Sequence, residues 1–181
     1  SQRPKTVDSR GQFGHWESDT IVGAAPSRVC IDTQVERRSR RPFARLVPDK
    51  SAMATARAEY EIYGDLPPRA RIDRTWDNGT EASCRQLVDE SLGMLTYFAD
   101  PYSSWQRGSN ENRNGRIRRY LPKKTPFDDL TQAELDAIVQ ETDDTPTKQL
   151  EYKTPNEAWD EETSRLQSKT TNPSTSVALT S

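Results

Sequence analysis

Three short runs with strand character, 14–22, 28–35 and Pro42–Val47, follow one another within the first fifty positions. Val29, Ile31, Thr33 and Val35 recur at period two, which marks a half-buried strand. The stretches between the runs are far too short for the dozen or so residues that a parallel crossover needs, so an antiparallel meander follows. Ser51 can cap a helix through the Ala-rich stretch to Tyr63, where Gly64, Pro67 and Pro68 stop it. A strand over 71–76, a helix over about 80–92 closed by Gly93, and a short strand Leu95–Phe98 then alternate. That alternation indicates a parallel portion of the same sheet. A loop over 100–108 leads into a helix ending near Tyr120, before Pro122. Thr131 with Glu134, and Thr154 with Glu157, are spaced as capping boxes for two more helices, the second with Pro155 at its first position.

Only 31% of residues are apolar, which predicts a thin core and marginal stability. No apolar run approaches the roughly 20 residues needed to cross a membrane, and no basic-then-apolar start reads as a secretory signal. Cys30 and Cys84 lie far apart without a C-x-x-C partner, and His15 is the single histidine. A disulfide framework, a zinc site and any multi-histidine metal site are therefore not expected, and a reducing cytoplasm is. The net charge of −2 hides strong segregation: residues 101–125 carry 7 Lys/Arg against 1 Asp/Glu, whereas 126–181 carry 4 against 12. Phosphate contact depends on local potential, so the basic block keeps a nucleic-acid partner open; the plainer reading is a solvated charged face.

Three carboxylates fall at the ends or edges of these elements. Asp19 lies within the first strand, Asp77 follows directly on the strand ending at Trp76, and Glu111 lies early in a helix that also carries Asn114, Arg118 and Arg119. Singly, each has an ordinary explanation: an edge residue, an Asp-Asn-Gly turn, and a favourable charge near a helix start. Their surroundings bind them together. GHWESD (14–19), TWDNGTE (75–81), YFADPYSSWQRGSNENRNG (97–115) and YKTP (152–155) occur in this order, and 33 residues separate Asp77 from Glu111. Over roughly residues 3–159 the chain resembles the insertion-sequence-thirty family of bacterial transposases, relatives of retroviral integrases.

The resemblance implies an α/β, RNase H-like fold, a five-stranded mixed sheet flanked by helices. It implies a DDE catalytic core over 13–162, preceded by a lead-in arm over 1–12; the polar 163–181 reads as a disordered tail. It also implies DNA strand cleavage and strand transfer, with Asp19, Asp77 and Glu111 as catalytic residues holding two Mg²⁺ ions (Mn²⁺ substituting). Asp19 would bridge both ions, Asp77 would hold one and Glu111 the other. The implied partners are DNA, as transposon ends and target, and further copies of the chain in the DNA complex, in a bacterial or archaeal cytoplasm at the nucleoid. Trp105, Gln106, Arg107, Asn110, Asn114, Arg118 and Arg119 are the expected DNA contacts; Glu111, Asn114 and Arg118 share one helix face. Trp16 is expected in the core, and Arg37, Arg38, Arg40 and Arg41 at a strand turn on phosphate.

Several positions depart from the family pattern. Ser18 stands where a small residue, often Gly, precedes the first acid, and Asp32 and Gln34 put polar groups in a strand usually apolar. The stretch 143–147 is acidic where relatives are basic, and Glu151 stands where Gly is usual. The start at Ser1 suggests a piece of a longer polypeptide without the end-reading helix-turn-helix region. These departures leave a second expectation open, a catalytically idle remnant that only binds DNA or oligomerises.

Overall fold

The computed structural model describes residues 10–77, 85–99 and 108–171. Five strands form one sheet: β1 (His15–Val22), β2 (Cys30–Glu36), β3 (Pro42–Val47), β4 (Asp73–Trp76) and β5 (Leu95–Phe98). Their order is β3-β2-β1-β4-β5, with β1, β2 and β3 antiparallel and β1, β4 and β5 parallel. This is the expected meander joined to a parallel half, with β1 at the centre. Gly14 fixes where β1 begins: its φ is +97°, and a Cβ there would lie 2.5 Å from the Arg69 carbonyl oxygen. Only glycine fits so close an approach of two backbones.

Five helices flank the sheet: α1 (Ala52–Tyr63), α2 (Arg85–Leu92), α3 (Gly108–Tyr120), α4 (Gln132–Asp143) and α5 (Pro155–Thr171). Ser51 caps α1 by accepting from the Ala54 N–H, and the Thr131–Glu134 capping box of α4 is complete. Thr154 and Glu157 exchange the same pair of bonds at the start of α5. α5 continues to Thr171, nine residues into the stretch expected to be a disordered tail. Leu166 packs against the core and Arg165 pairs with Glu162, which supports the extra turns despite their polarity; residues 172–181 lie outside the described ones.

Alternation along β1 feeds two cores. Trp16 is fully buried and meets Phe43, Tyr63 and Trp159 edge-on, with its indole N–H bonded to the Ala70 carbonyl (2.9 Å). On the opposite face Ile21 and Ile31 pack with Ile117, Leu121, Phe127 and Leu135. Ile117 lies in α3 and Leu135 in α4, so these two helices cover the face towards which Glu17 and Asp19 also point.

The polar residues of β1 and β2 prove to be one hydrogen-bonded unit. Ser18 lies opposite Gln34 in the register, and its hydroxyl bonds the Gln34 amide oxygen. That oxygen also accepts from Tyr63 (2.7 Å), while the Gln34 amide nitrogen donates to both Asp32 oxygens. Burial, with Glu59 nearby, raises the Asp32 carboxyl well above the ordinary carboxylate range. Three departures from the family pattern thus satisfy one another in a fully buried layer.

Candidate active site

The site is built on the end of β1. Asp19 is half-buried, opposite Thr33 of β2, and its main-chain oxygen accepts from the Thr33 hydroxyl (3.1 Å). One carboxylate oxygen accepts from the Thr20 N–H and the other from the Asn114 side-chain amide, both at 2.9 Å. Asn114, expected as a DNA contact, instead has its amide nitrogen on Asp19. Its amide oxygen is buried without a hydrogen-bond partner among the described residues.

Asp77 comes from the neighbouring strand. The register His15↔Asp73, Trp16↔Arg74, Glu17↔Thr75 runs towards both acids: Asp19 lies two positions beyond Glu17, and Asp77 two beyond Thr75, just past the end of β4. Adjacent strands lie about 5 Å apart, and residues level with each other on parallel strands face the same side. Asp77 is half-buried as the chain leaves the sheet. Glu111 lies in the first turn of α3, one helical turn before Asn114. Its side chain is exposed and makes no hydrogen bond or ion pair among the described residues. As the side chains lie, no group of three or more His, Cys, Asp or Glu among the described residues is gathered to hold a metal ion. One acid thus lies in β1, the second follows directly on the neighbouring parallel strand, and the third stands on the helix bonded to the first.

The expected DNA contacts divide. Asn110 is fully buried: its side chain donates to the Glu17 carbonyl (2.9 Å) and accepts from Thr33 (3.2 Å). A side chain so enclosed cannot touch DNA, so that expectation is corrected. Arg118 donates to the carbonyls of Val22 (2.8 Å) and Leu121 (3.4 Å), tying α3 to the end of β1. Desolvation lowers its pKa. Arg119 is exposed, while Trp105, Gln106 and Arg107 lie outside the described residues.

The arginines between β2 and β3 also turn inward. Arg37 is buried against Glu17, Arg38 pairs with Glu162, and Arg41 pairs with Asp143 while lying over Phe43 and Trp159. All three tie elements together; burial takes Arg37 away from the phosphate contact expected of it, while Arg38, Arg40 and Arg41 remain partly exposed. Sequence reasoning missed Glu17 and Thr33 beneath α3. The available signal was Glu17's position two residues before Asp19, on the same strand face.

No family model matches the chain. The transposase InsI of insertion element IS30C from Escherichia coli K12 is 38% identical over 156 residues, which is 86% of this chain and 40% of that protein. The transposase of element IS1086 from Cupriavidus metallidurans is 37% identical over 153 residues (84% and 45%), and that of IS4351 from Bacteroides fragilis 34% over 157 residues (86% and 47%). The chain spans less than half the length of each. Among solved structures, the catalytic core domain of bovine immunodeficiency virus (BIV) integrase superposes with a TM-score of 0.63 at 17% identity, covering 84% of this chain and 98% of that one. The simian T-cell lymphotropic virus intasome, solved with a PP2A regulatory subunit B56 gamma, gives 0.59 at 17% identity over 73% of this chain and 49% of that one. The fold is the integrase-core, RNase H-like one.

Proposed function

Because this chain belongs to the IS30 family of insertion-sequence transposases, we propose that it is the catalytic domain of a DNA strand-transferring enzyme with Asp19, Asp77 and Glu111 as its metal-holding acids. The observation that carries this reading is the Asn114–Asp19 bond, which ties the helix bearing Glu111 to the strand bearing Asp19, while Asp77 follows directly on β4, the parallel neighbour of that strand. The donor set is all oxygen, which suits a hard divalent cation such as Mg²⁺ or Mn²⁺. Asp19, Asp77 and Glu111 would hold the cations between them. Bound cations supply Lewis acidity at the attacking and leaving oxygens of a phosphodiester. Glu111, exposed and without a partner among the described residues, could turn towards Asp19, while Asn114 holds one Asp19 oxygen in place. Exposed Arg119 offers positive charge to a DNA backbone beside them.

The reading of an idle remnant rested on positions that depart from the family. Ser18, Asp32 and Gln34 complete one another's hydrogen bonds, which speaks against decay. The test supplies the protein with a pre-cut transposon end, a target plasmid and Mn²⁺. Strand joining is expected from the wild type and is lost in Asp77→Asn. Equal joining by that variant would remove Asp77 from the site, and no joining by either would return the chain to the non-catalytic reading.

A further inference from the structure

Glu17 is a fully buried carboxylate on the face of β1 that carries Asp19, and α3 closes over it. One oxygen accepts from the Arg37 Nε (2.9 Å), whose side chain is itself 1% exposed. The other accepts from the backbone N–H of Asn110 (2.8 Å). Asn110 is the third residue of α3, and its N–H is one of the four at a helix start that have no partner inside the helix. A carboxylate there also meets the positive end of the helix dipole. The Asn110 side chain closes the joint by bonding the Glu17 carbonyl and the Thr33 hydroxyl.

We propose that Glu17, charge-balanced by Arg37, is a positioning residue: a cap supplied by β1 to the first turn of α3, setting Glu111 in place relative to Asp19. The chain connectivity makes the consequence direct. Asp19 lies two residues beyond Glu17 on one rigid strand, and Glu111 is the residue after Asn110 on one helix. The joint therefore fixes the spacing of two acids from different elements, and the Asn114–Asp19 bond is its second fastening, one turn on. A buried carboxylate with no cation beside it costs several kcal/mol, which is why Arg37 turns inward at the β2–β3 turn. The capping role stands on the geometry alone; the consequence for the acids rests on the metal-holding reading above.

Amide hydrogen exchange on the full chain tests the cap directly. The Asn110 amide is expected to be strongly protected in the wild type. In Glu17→Ala it exchanges faster by roughly ten- to a hundredfold, the loss expected for a hydrogen bond to a charged group, over and above any change in the β2 amides. Those strand amides report general destabilisation, so a merely structural role would move both sets together. Glu17→Gln keeps an acceptor but removes the negative charge that faces Arg37 and Arg10; overall stability falls while the relative protection of Asn110 persists. Should Glu17→Ala not fold, Glu17→Asp keeps the charge yet draws the acceptor back by one methylene, and Asn110 alone should lose protection. Asn110 tracking the β2 amides in Glu17→Ala or Glu17→Asp, or losing its protection equally in Glu17→Gln, would overturn the proposal.

The Mn²⁺ concentration giving half of the maximal thermal upshift reads the consequence for the acids. It should rise about tenfold in Glu17→Asp, a size typical of groups that orient metal ligands, and stay near wild type in Glu17→Gln. An unchanged value in Glu17→Asp would overturn the link to Glu111. No upshift in the wild type would instead sink the metal-holding reading, leaving the cap decided by exchange.

Discussion

Asp143 ends α4 almost fully buried, with its carboxylate 3.7 Å from the Arg41 Nε. Burial raises its pKa from the ordinary 3.8 to about 7, although Arg41 and Arg113 pull the other way. A carboxyl whose folded pKa is raised binds its proton more tightly in the native state than in the unfolded one. Its contribution is therefore fully present below about pH 4 and is lost as pH rises through about 7. The two values correspond to a ceiling of ~4 kcal/mol, with a slope of up to ~1.4 kcal/mol per pH unit inside the window. Asp143→Asn holds the site neutral at every pH. The variant should match the wild type near pH 4 and exceed its stability at pH 7.5 by roughly 1–4 kcal/mol. Urea unfolding from pH 4 to 8 at fixed ionic strength measures both curves, and the other buried acids with raised pKa values cancel in the difference. Parallel curves, or a variant less stable at pH 7.5, would mean that pairing with Arg41 outweighs desolvation.

Two further substitutions probe the departures from the family pattern. Glu151 adopts the left-handed conformation at φ 54°. Glu151→Gly should raise stability by roughly 0.5–1 kcal/mol, the left-handed penalty less glycine's entropic cost, read as a higher melting temperature. Gln34→Leu strands the Tyr63 hydroxyl, the Ser18 hydroxyl and the Asp32 carboxyl together, so urea unfolding should show a loss of at least about 2 kcal/mol; a neutral result would deny the hydrogen-bonded layer.

Much of this fold was legible because its signals are local. The Ser51 cap and the two capping boxes each act within a few residues and form as expected; the period-two run does form β2, but as a strand buried on both faces rather than half-buried. The position of Asp19 within β1 and of Asp77 after β4 was readable for the same reason. Long-range pairing was not readable. Arg37 looks like any basic turn residue until Glu17, twenty positions earlier, is found beside it. Asn110 resembles the other polar residues of its helix, and only the closeness of β1 and β2 shows that it is enclosed. The length of α5 escaped notice because Leu166 is a single apolar anchor in a polar stretch. Charge and polarity say what a side chain can bond, and the tertiary fold decides whether water or another side chain answers.

Asp19, Asp77 and Glu111 are proposed to hold divalent cations together. Crystals of the chain with a pre-cut DNA end and Mn²⁺, measured at the manganese absorption edge, test it most directly. Anomalous peaks are expected about 2.1 Å from carboxylate oxygens, one between Asp19 and Asp77 and one between Asp19 and Glu111. Bound DNA with no peak at Asp19, or manganese held by other residues, would contradict the account.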